Sequence, residues 1–369
     1  MNQQIKKYSN TRATLAIALA SFRSIIRSPS AVVFSLAFPL IFIVVFANIG
    51  GSAVTVDVGV AKTCDTTSAD SIYQYLKKIP IVHFVKNQSA AQMATNLSKG
   101  DLDAIVDIQR HNSPPYFTLN VQYTTASAQK DGVLKSLLDG MFFRINSRGN
   151  TAPQPIAELK EATVHGREYK YIDFILPGML GFSLLSSGVF GTAFVFLSLR
   201  LTLVIKRFFA TPVKKYSIVL GEAIARLIFS WIGALFIIAV GHFAFGFTLV
   251  HGFITVVNML ILSAIGLIIF MGFGFVISGI AKNESSVPPL SNIITLPQFL
   301  LSGTFFATTA FPSWLQGISN VLPLTYLNNA MRNVAFEGAG LGDVTHDLLI
   351  LGVWFIIVYA VAVKTFKWE

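Results

Sequence analysis

Long stretches of this chain carry no charge at all, and no other feature of the sequence limits the possible folds so strongly. From Leu227 to Ala281 there is no Asp, Glu, Lys or Arg, although the chain as a whole has a formal charge of +10. A helix needs about 20 mostly apolar residues to cross the roughly 30 Å of bilayer hydrocarbon. An unpaired charge there costs at least ~2.5 kcal/mol. The stretch therefore holds two crossings and a tight turn, where His242, Gly246, His251 and Gly252 collect. Hydrophobic residues make up 53% of the chain and charged residues 12%, against roughly 25% charged in soluble domains. The fold class that follows is an α-helical polytopic membrane protein.

Four further runs are free of charge, at 28–56, 174–199, 285–331 and 348–363. Divided by length and turn signals, the runs predict six transmembrane helices, at 31–50 and at about 174–199, 223–249, 252–280, 287–309 and 347–364. Basic residues set the direction. If the first crossing leaves the cytoplasm, the inner stretches are 1–30, 200–226, 281–286 and 364–369, and the short outer loops keep Arg332 as their one cation. The run 285–331 has room for two crossings. That arrangement would put Glu337, Asp343 and Asp347 inside and Lys364 and Lys367 outside, against the positive-inside bias. One crossing followed by outer re-entrant helices at 311–332 agrees with the charges. Pro297, Pro312 and Pro323 fit it too, because backbone freed by proline is tolerated where it is buried in protein. The expected location is the inner (cell) membrane, multi-pass, with both termini cytoplasmic. Residues 1–30 are too long and too basic for the leading part of a secretory signal. Their apolar residues from Leu15 to Ile26 recur at helical spacing, which predicts an amphipathic helix at the interface, with Arg23 and Arg27 toward lipid head groups.

Between the first two crossings, acidic and basic residues nearly balance and the composition is that of a soluble domain. Residues 51–172 are therefore read as an inserted extracytoplasmic α/β domain. Strand-like runs at 54–60, 81–85, 104–108 and 116–123 alternate with helical patterns at 68–78, 90–99 and 128–146. Pro153, Pro155 and Gly166 suggest a linker back to the bilayer. The only cysteine is Cys64, so no intrachain disulfide can form.

Catalytic patterns are missing. No Gly-Lys pair occurs, which rules out the lysine-tipped loop that cradles nucleotide phosphates. The histidines form no HExxH, and no GxSxG elbow is present. Gly272-Phe273-Gly274 lies inside an apolar run, where close helix packing explains it better than a dinucleotide turn. Basic residues beside apolar runs indicate membrane lipids as partners and not nucleic acid. The chain is not expected to be an enzyme, to bind a metal or to hold a cofactor of its own.

One inner loop, Lys206-Arg207-Phe208-Phe209-Ala210-Thr211-Pro212-Val213-Lys214-Lys215, joins cations and aromatics to a helix breaker. Spacing alone does not choose between a docking surface and a plain cationic loop. Ala210-Thr211-Pro212-Val213 followed by Gly221-Glu222, then Leu300-Leu301-Ser302-Gly303-Thr304-Phe305-Phe306, Phe311-Pro312, Trp314-Leu315 and Leu322-Pro323-Leu324-Thr325-Tyr326 with Ala330-Met331-Arg332 come in an order that resembles the permease subunits of ABC-2 type exporters with a large extracytoplasmic domain after the first span. The resemblance covers essentially the whole chain.

That resemblance implies a coupling helix at 203–216 seated on a separate ABC ATP-binding subunit, with Lys206, Arg207, Phe208, Phe209, Thr211, Pro212, Lys214 and Glu222 as the ATPase-coupling residues and Arg23 and Arg27 on an adjoining elbow helix. It implies two copies of the ATPase, which carry ATP and Mg, and a second permease copy as homo- or heterodimer. The cargo would be an amphiphilic, apolar or lipid-like compound. Phe182, Phe190, Asn292 and Phe299 are the candidate lining of its path. The rival reading is a membrane receptor or regulatory subunit whose outer domain binds a ligand. With Cys64 replaced by Ser and single cysteines placed as Lys130→Cys, Lys214→Cys and Asp343→Cys, the six-span topology expects only position 214 to be protected from an impermeant thiol reagent in intact cells.

Overall fold

The computed structural model describes residues 9–28, 36–45, 56–64, 72–85, 88–147, 156–164 and 170–366. The chain divides into two compact units, Met1–Gly50 with Tyr171–Glu369 and Gly51–Lys170.

The first unit is helical. It starts with α1 (Asn10–Ile26) and α2 (Leu36–Val45), the described part of the crossing expected at 31–50. Four helices are long and apolar enough to span a membrane: α6 (Tyr171–Leu201), α8 (Lys215–Phe245), α9 (Phe253–Ile280) and α13 (Thr345–Thr365). The numbers α3 to α5 fall in the second unit. The short α7 (Val204–Phe209) lies between α6 and α8. After α9 come α10 (Val287–Leu301), α11 (Ser313–Ser319) and α12 (Pro323–Arg332), the last continuing as a π turn, Asn333–Glu337. Long apolar helices of this kind are held by close approach and by polar contacts between them. A Cβ added at Gly178, Gly188, Gly272 or Gly274 would come within 2.7 Å of a neighbouring atom.

Polar contacts tie the helices at both ends. At one end Asp173, in the first turn of α6, accepts hydrogen bonds from the Thr248 amide (2.7 Å) and hydroxyl (3.2 Å) beyond the end of α8. Beside it the Tyr171 hydroxyl donates to the Phe305 carbonyl at 2.8 Å. At the other end Arg200 donates to the carbonyls of Gly279 and Ala281, closing the last turn of α9, and the Gly279 backbone abuts Thr365 of α13. The chain therefore alternates between the ends, with α10 running back from the Ile280 end toward Phe305.

α10 is shorter than the crossing expected at 287–309. It stops at Leu301, because Gly303 takes a left-handed φ of 70° and the next residues run as open loop. Side chains satisfy that loop's backbone. Asn328 donates to the Ser302 carbonyl at 3.0 Å, the Ser319 hydroxyl to the Leu301 carbonyl at 2.6 Å, and Arg332 to the carbonyls of Gly303 and Phe174. Arg332, in the sequence the one cation of the short outer loops, also lies 3.7 Å over the Phe174 ring. α11 and α12 form a helical pair between α10 and α13. The Trp354 indole donates to the Val321 carbonyl at their turn, 2.9 Å away. Trp354 is ~14 Å along α13 from Thr345 at about 1.5 Å per residue, so the pair dips well below the helix ends.

The second unit is a five-stranded sheet in the order β2-β1-β3-β4-β5, from β1 (Val56–Val60), β2 (Val82–Val85), β3 (Ala104–Arg110), β4 (Phe117–Thr124) and β5 (Ala157–Val164). Only β3 and β4 pair antiparallel. Strand β5 occupies part of the stretch expected to be a linker. Its pattern is one buried residue followed by mostly exposed ones, so it lacks the alternation that marks a strand in sequence. Pro153, Pro155 and Gly166 lie outside the described residues. Helices α3 (Ile72–Lys77) and α5 (Ala128–Ser147) cover one face through Ile72, Leu76, Leu134, Leu138 and Phe142, and α4 (Ala90–Lys99) covers part of the other.

Where β1, β3 and α5 meet, Asp103 is buried. It accepts from the Asp57 amide at 2.7 Å and pairs with Lys130 at 3.1 Å. Burial first, and then the Asp103 carboxylate, push the neighbouring Asp131 carboxyl up to about 7. In the fold Asp131 keeps its proton up to that pH, while the unfolded chain loses it near 3.8. Its contribution to stability is thus complete below about pH 4 and is lost as pH rises through about 7. Asp131→Asn should raise the thermal unfolding temperature at pH 8 more than at pH 5, as measured by paired melts of the full chain.

Candidate functional site

The candidate site begins where α6 ends. Thr202 and Leu203 form a turn, and Leu203 takes a φ of 58°, a left-handed conformation that costs a branched side chain ~1–2 kcal/mol. That turn swings the chain into α7. Ile205 is 1% exposed and anchors this helix, while Lys206 and Arg207 are exposed. The helix is shorter than the expected 203–216 because Pro212 biases Thr211 away from helical geometry. Thr211, Pro212 and Lys214 lie exposed in the connection, and the Lys214 ammonium sits 5.9 Å from the Tyr216 ring. The side chains of Phe208 and Phe209 lie outside the described ones.

Helix α1 lies against the start of α8. A Cβ on Gly221 would stand 2.7 Å from Ile17 and 3.0 Å from the Thr14 carbonyl, so glycine is what lets the helices meet. Arg23 and Arg27 are exposed on the free side of α1, next to Leu15, Leu19 and Ile26.

Glu222, one residue further along, is not on the loop surface. It is 3% exposed and forms an ion pair with Arg226 at 2.7 Å, one turn along α8. Arg226 in the sequence is the last cation of the inner stretch 200–226. In the structure it is buried within α8, ~16 Å from Lys215 at about 1.5 Å per residue. Its guanidinium crosses to α6 and donates to the carbonyls of Ser187 (3.3 Å) and Gly191 (2.6 Å). These residues bound a π turn, Ser187–Gly191, in which the normal helical bonding is shifted. Gly191 has no side chain where the guanidinium lies. A lone arginine in this position would be costly, and its carboxylate and two carbonyls offset that cost. The i,i+4 spacing of Glu222 and Arg226 inside an apolar run was the available sequence signal. The π turn had none.

The four residues proposed for the cargo path separate. Phe182 of α6 and Phe299 of α10 meet with ring centroids 4.0 Å apart and planes tilted by 42°, in a cluster with Phe38 and Phe42 of α2 and Phe305. Phe190 lies half-buried in the π turn, and Asn292 is exposed on a stripe of α10 with Ile293, Leu296 and Leu300. Sequence reading missed Phe38, Phe42 and Phe305, whose phenylalanines are hard to tell from those facing lipid.

Removing one member of the buried pair should destabilise the chain more than removing both. Arg226→Met is expected to cost about 3–5 kcal/mol, and Glu222→Leu with Arg226→Met to recover a substantial part of it, measured as unfolding transitions in detergent.

Among known proteins, the chain is 25% identical over 373 residues to ABC transporter G family member 20 of Dictyostelium discoideum, covering 95% of this chain and 50% of that one. It therefore spans half the length of that relative. It is 26% identical over 209 residues to the inner membrane transport permease YadH of Escherichia coli, covering 56% of this chain and 76% of the permease. Residues 29–364 match the family described as ABC-2 family transporter protein. With a match of that extent on a bundle of apolar helices, the chain belongs to the ABC-2 family of transporter proteins.

Proposed function

We propose that this ABC-2 permease is one membrane half of an ATP-driven exporter, working with a separate ABC ATP-binding subunit. The observation that carries this reading is the exposed set Lys206, Arg207, Thr211, Pro212 and Lys214, hung on the buried Ile205 between two long helices. Exposed cations on a short, anchored helix suit a docking element: the anchor transmits force, and the exposed face meets the partner. Phe208 and Phe209 would supply its apolar contacts.

In this reading α2, α6, α8, α9, α10 and α13 are six crossings, both termini are cytoplasmic, and the chain resides in the inner membrane. The alternation of helix ends supports that topology, and the dip of α11 and α12 supports re-entry from the outer side. The sheet unit then faces outward. Two ATPase copies, carrying ATP and Mg, serve a pair of permeases. ATP binding would draw the docking helices together, and α1 and α8 would pass the motion to α6. Crossings that are mostly free of charge and rich in phenylalanine suit an amphiphilic, apolar or lipid-like cargo. The Phe182–Phe299 contact would be a closed point on its path, with Phe190 and Asn292 further along it.

Copurification tests the docking site. Phe208→Asp with Phe209→Asp, or Lys206→Glu with Arg207→Glu, should reduce recovery of the ABC ATPase with the tagged permease at least tenfold while the permease yield is kept. Full recovery with both double variants would overturn it.

A further inference from the structure

The sheet unit leaves part of one face open. Helix α4 packs Met93 and Leu97 over Leu102, Ile105 and, at the end of β5, Val164, and it also touches β4, while the rest of β4 and β5 on that face is left bare by the described helices. In the angle between α4 and these strands lies a cleft of about 480 Å³. Its α4 wall is apolar and small, from Ala90, Met93 and Ala94, and its floor sets Asp107, Asn120, Gln122 and Lys160 among apolar neighbours such as Ile105 and Ala162. A volume of this size, with one apolar wall and a few polar groups, is typical of small-molecule sites.

Strand register orders the floor. Asp107 pairs with Asn120 and Asn120 with Lys160, so an acid, an amide and an amine stand abreast on three strands. At about 4.8 Å between strands, Asp107 and Lys160 are roughly 10 Å apart at the backbone. The next rung adds Gln122 beside Ile105 and Ala162. The Asn120 and Gln122 side chains make no hydrogen bond within the chain among the described residues. Asp107 accepts from the Thr63 hydroxyl (2.8 Å) and the Gln109 amide (2.9 Å), and Lys160 lies 3.7 Å from Glu158. These are exposed contacts of little strength, which leave both charges available.

We propose that this cleft binds a short zwitterionic peptide of two or three residues, its ammonium at Asp107, its carboxylate at Lys160 and its amide groups over Asn120 and Gln122. An extended residue advances about 3.4 Å, so the charges of a di- or tripeptide fit the span and those of a single amino acid do not. Side chains on the peptide would meet the wall of α4. The site does not depend on the transport reading, since all its residues belong to the sheet unit.

Calorimetry on the full chain in nanodiscs, with Gly-Ala-Gly as probe, tests this. Saturable binding is expected, weakened at least tenfold by N-acetylation, by C-amidation or by using glycine alone. Asp107→Asn should erase the effect of acetylation, and Lys160→Gln that of amidation, while Lys78→Gln on the covered side changes neither. Unaltered melting curves would show that the variants fold. Lack of saturable binding to the folded protein, or binding indifferent to both blocking groups, would overturn the proposal.

Discussion

A guanidinium inside a bundle of apolar helices has few ways to exist, and the arrangement around Arg226 shows what they require. Its charge is met by Glu222 on the same helix, and its two terminal nitrogens donate to two carbonyls of the neighbouring one. Those carbonyls bound a π turn, and the approach is open because residue 191 has no side chain. Sequence, backbone irregularity and charge pairing thus meet at one point. The consequence is mechanical: α8 cannot slide or rotate against α6 without breaking two charge-assisted hydrogen bonds in a medium that offers no substitute. Since α1 sits against α8 through Ile17 and Gly221, three elements flanking the exposed 204–214 segment are tied together.

The opposite end of the bundle meets a different need, that of backbone with no helix to satisfy it. The stretch from Leu301 to Phe305 is closed by Asn328, Ser319, Arg332 and Tyr171. Here too a charged residue that looks like a surface cation is drawn inward to carbonyls. A bundle pinned by Arg226 along its length and by Arg332 near one end has defined rigid points. Between them lies the aromatic cluster of Phe38, Phe42, Phe182, Phe299 and Phe305, whose contacts are dispersive and carry no directional bond. In the proposed mechanism this is where the helices can part.

Much of this was legible in the sequence, because charge avoidance and apolar length act on every residue of a membrane helix. The long helices α6, α8, α9 and α13 follow from uncharged runs, and the strands β1 to β4 from local β-rich patterns. What was not legible depends on partners far away in sequence. Arg226 marks the edge of an apolar run, and although its i,i+4 spacing from Glu222 hints at a pair, nothing local says which carbonyls of another helix it meets. Strand β5 has mostly exposed side chains, so its pairing with β4 leaves little trace in its own composition. The same holds for Phe182 and Phe299. Their placement on inward faces could be guessed, but their ring contacts with α2 and with each other could not.

If α1, α8 and α6 move as one body, spin labels on α1 and at the end of α6 must keep their separation when ATP is bound. Pulsed electron paramagnetic resonance between Arg12→Cys and Leu201→Cys, with Cys64 replaced, in the complex with its ABC ATPase, measures this directly. The account predicts that the distance differs by no more than about 2 Å between nucleotide-free and ATP-trapped states. A change of about 5 Å or more, the size of a one-turn shift of a helix past its neighbour, would contradict it.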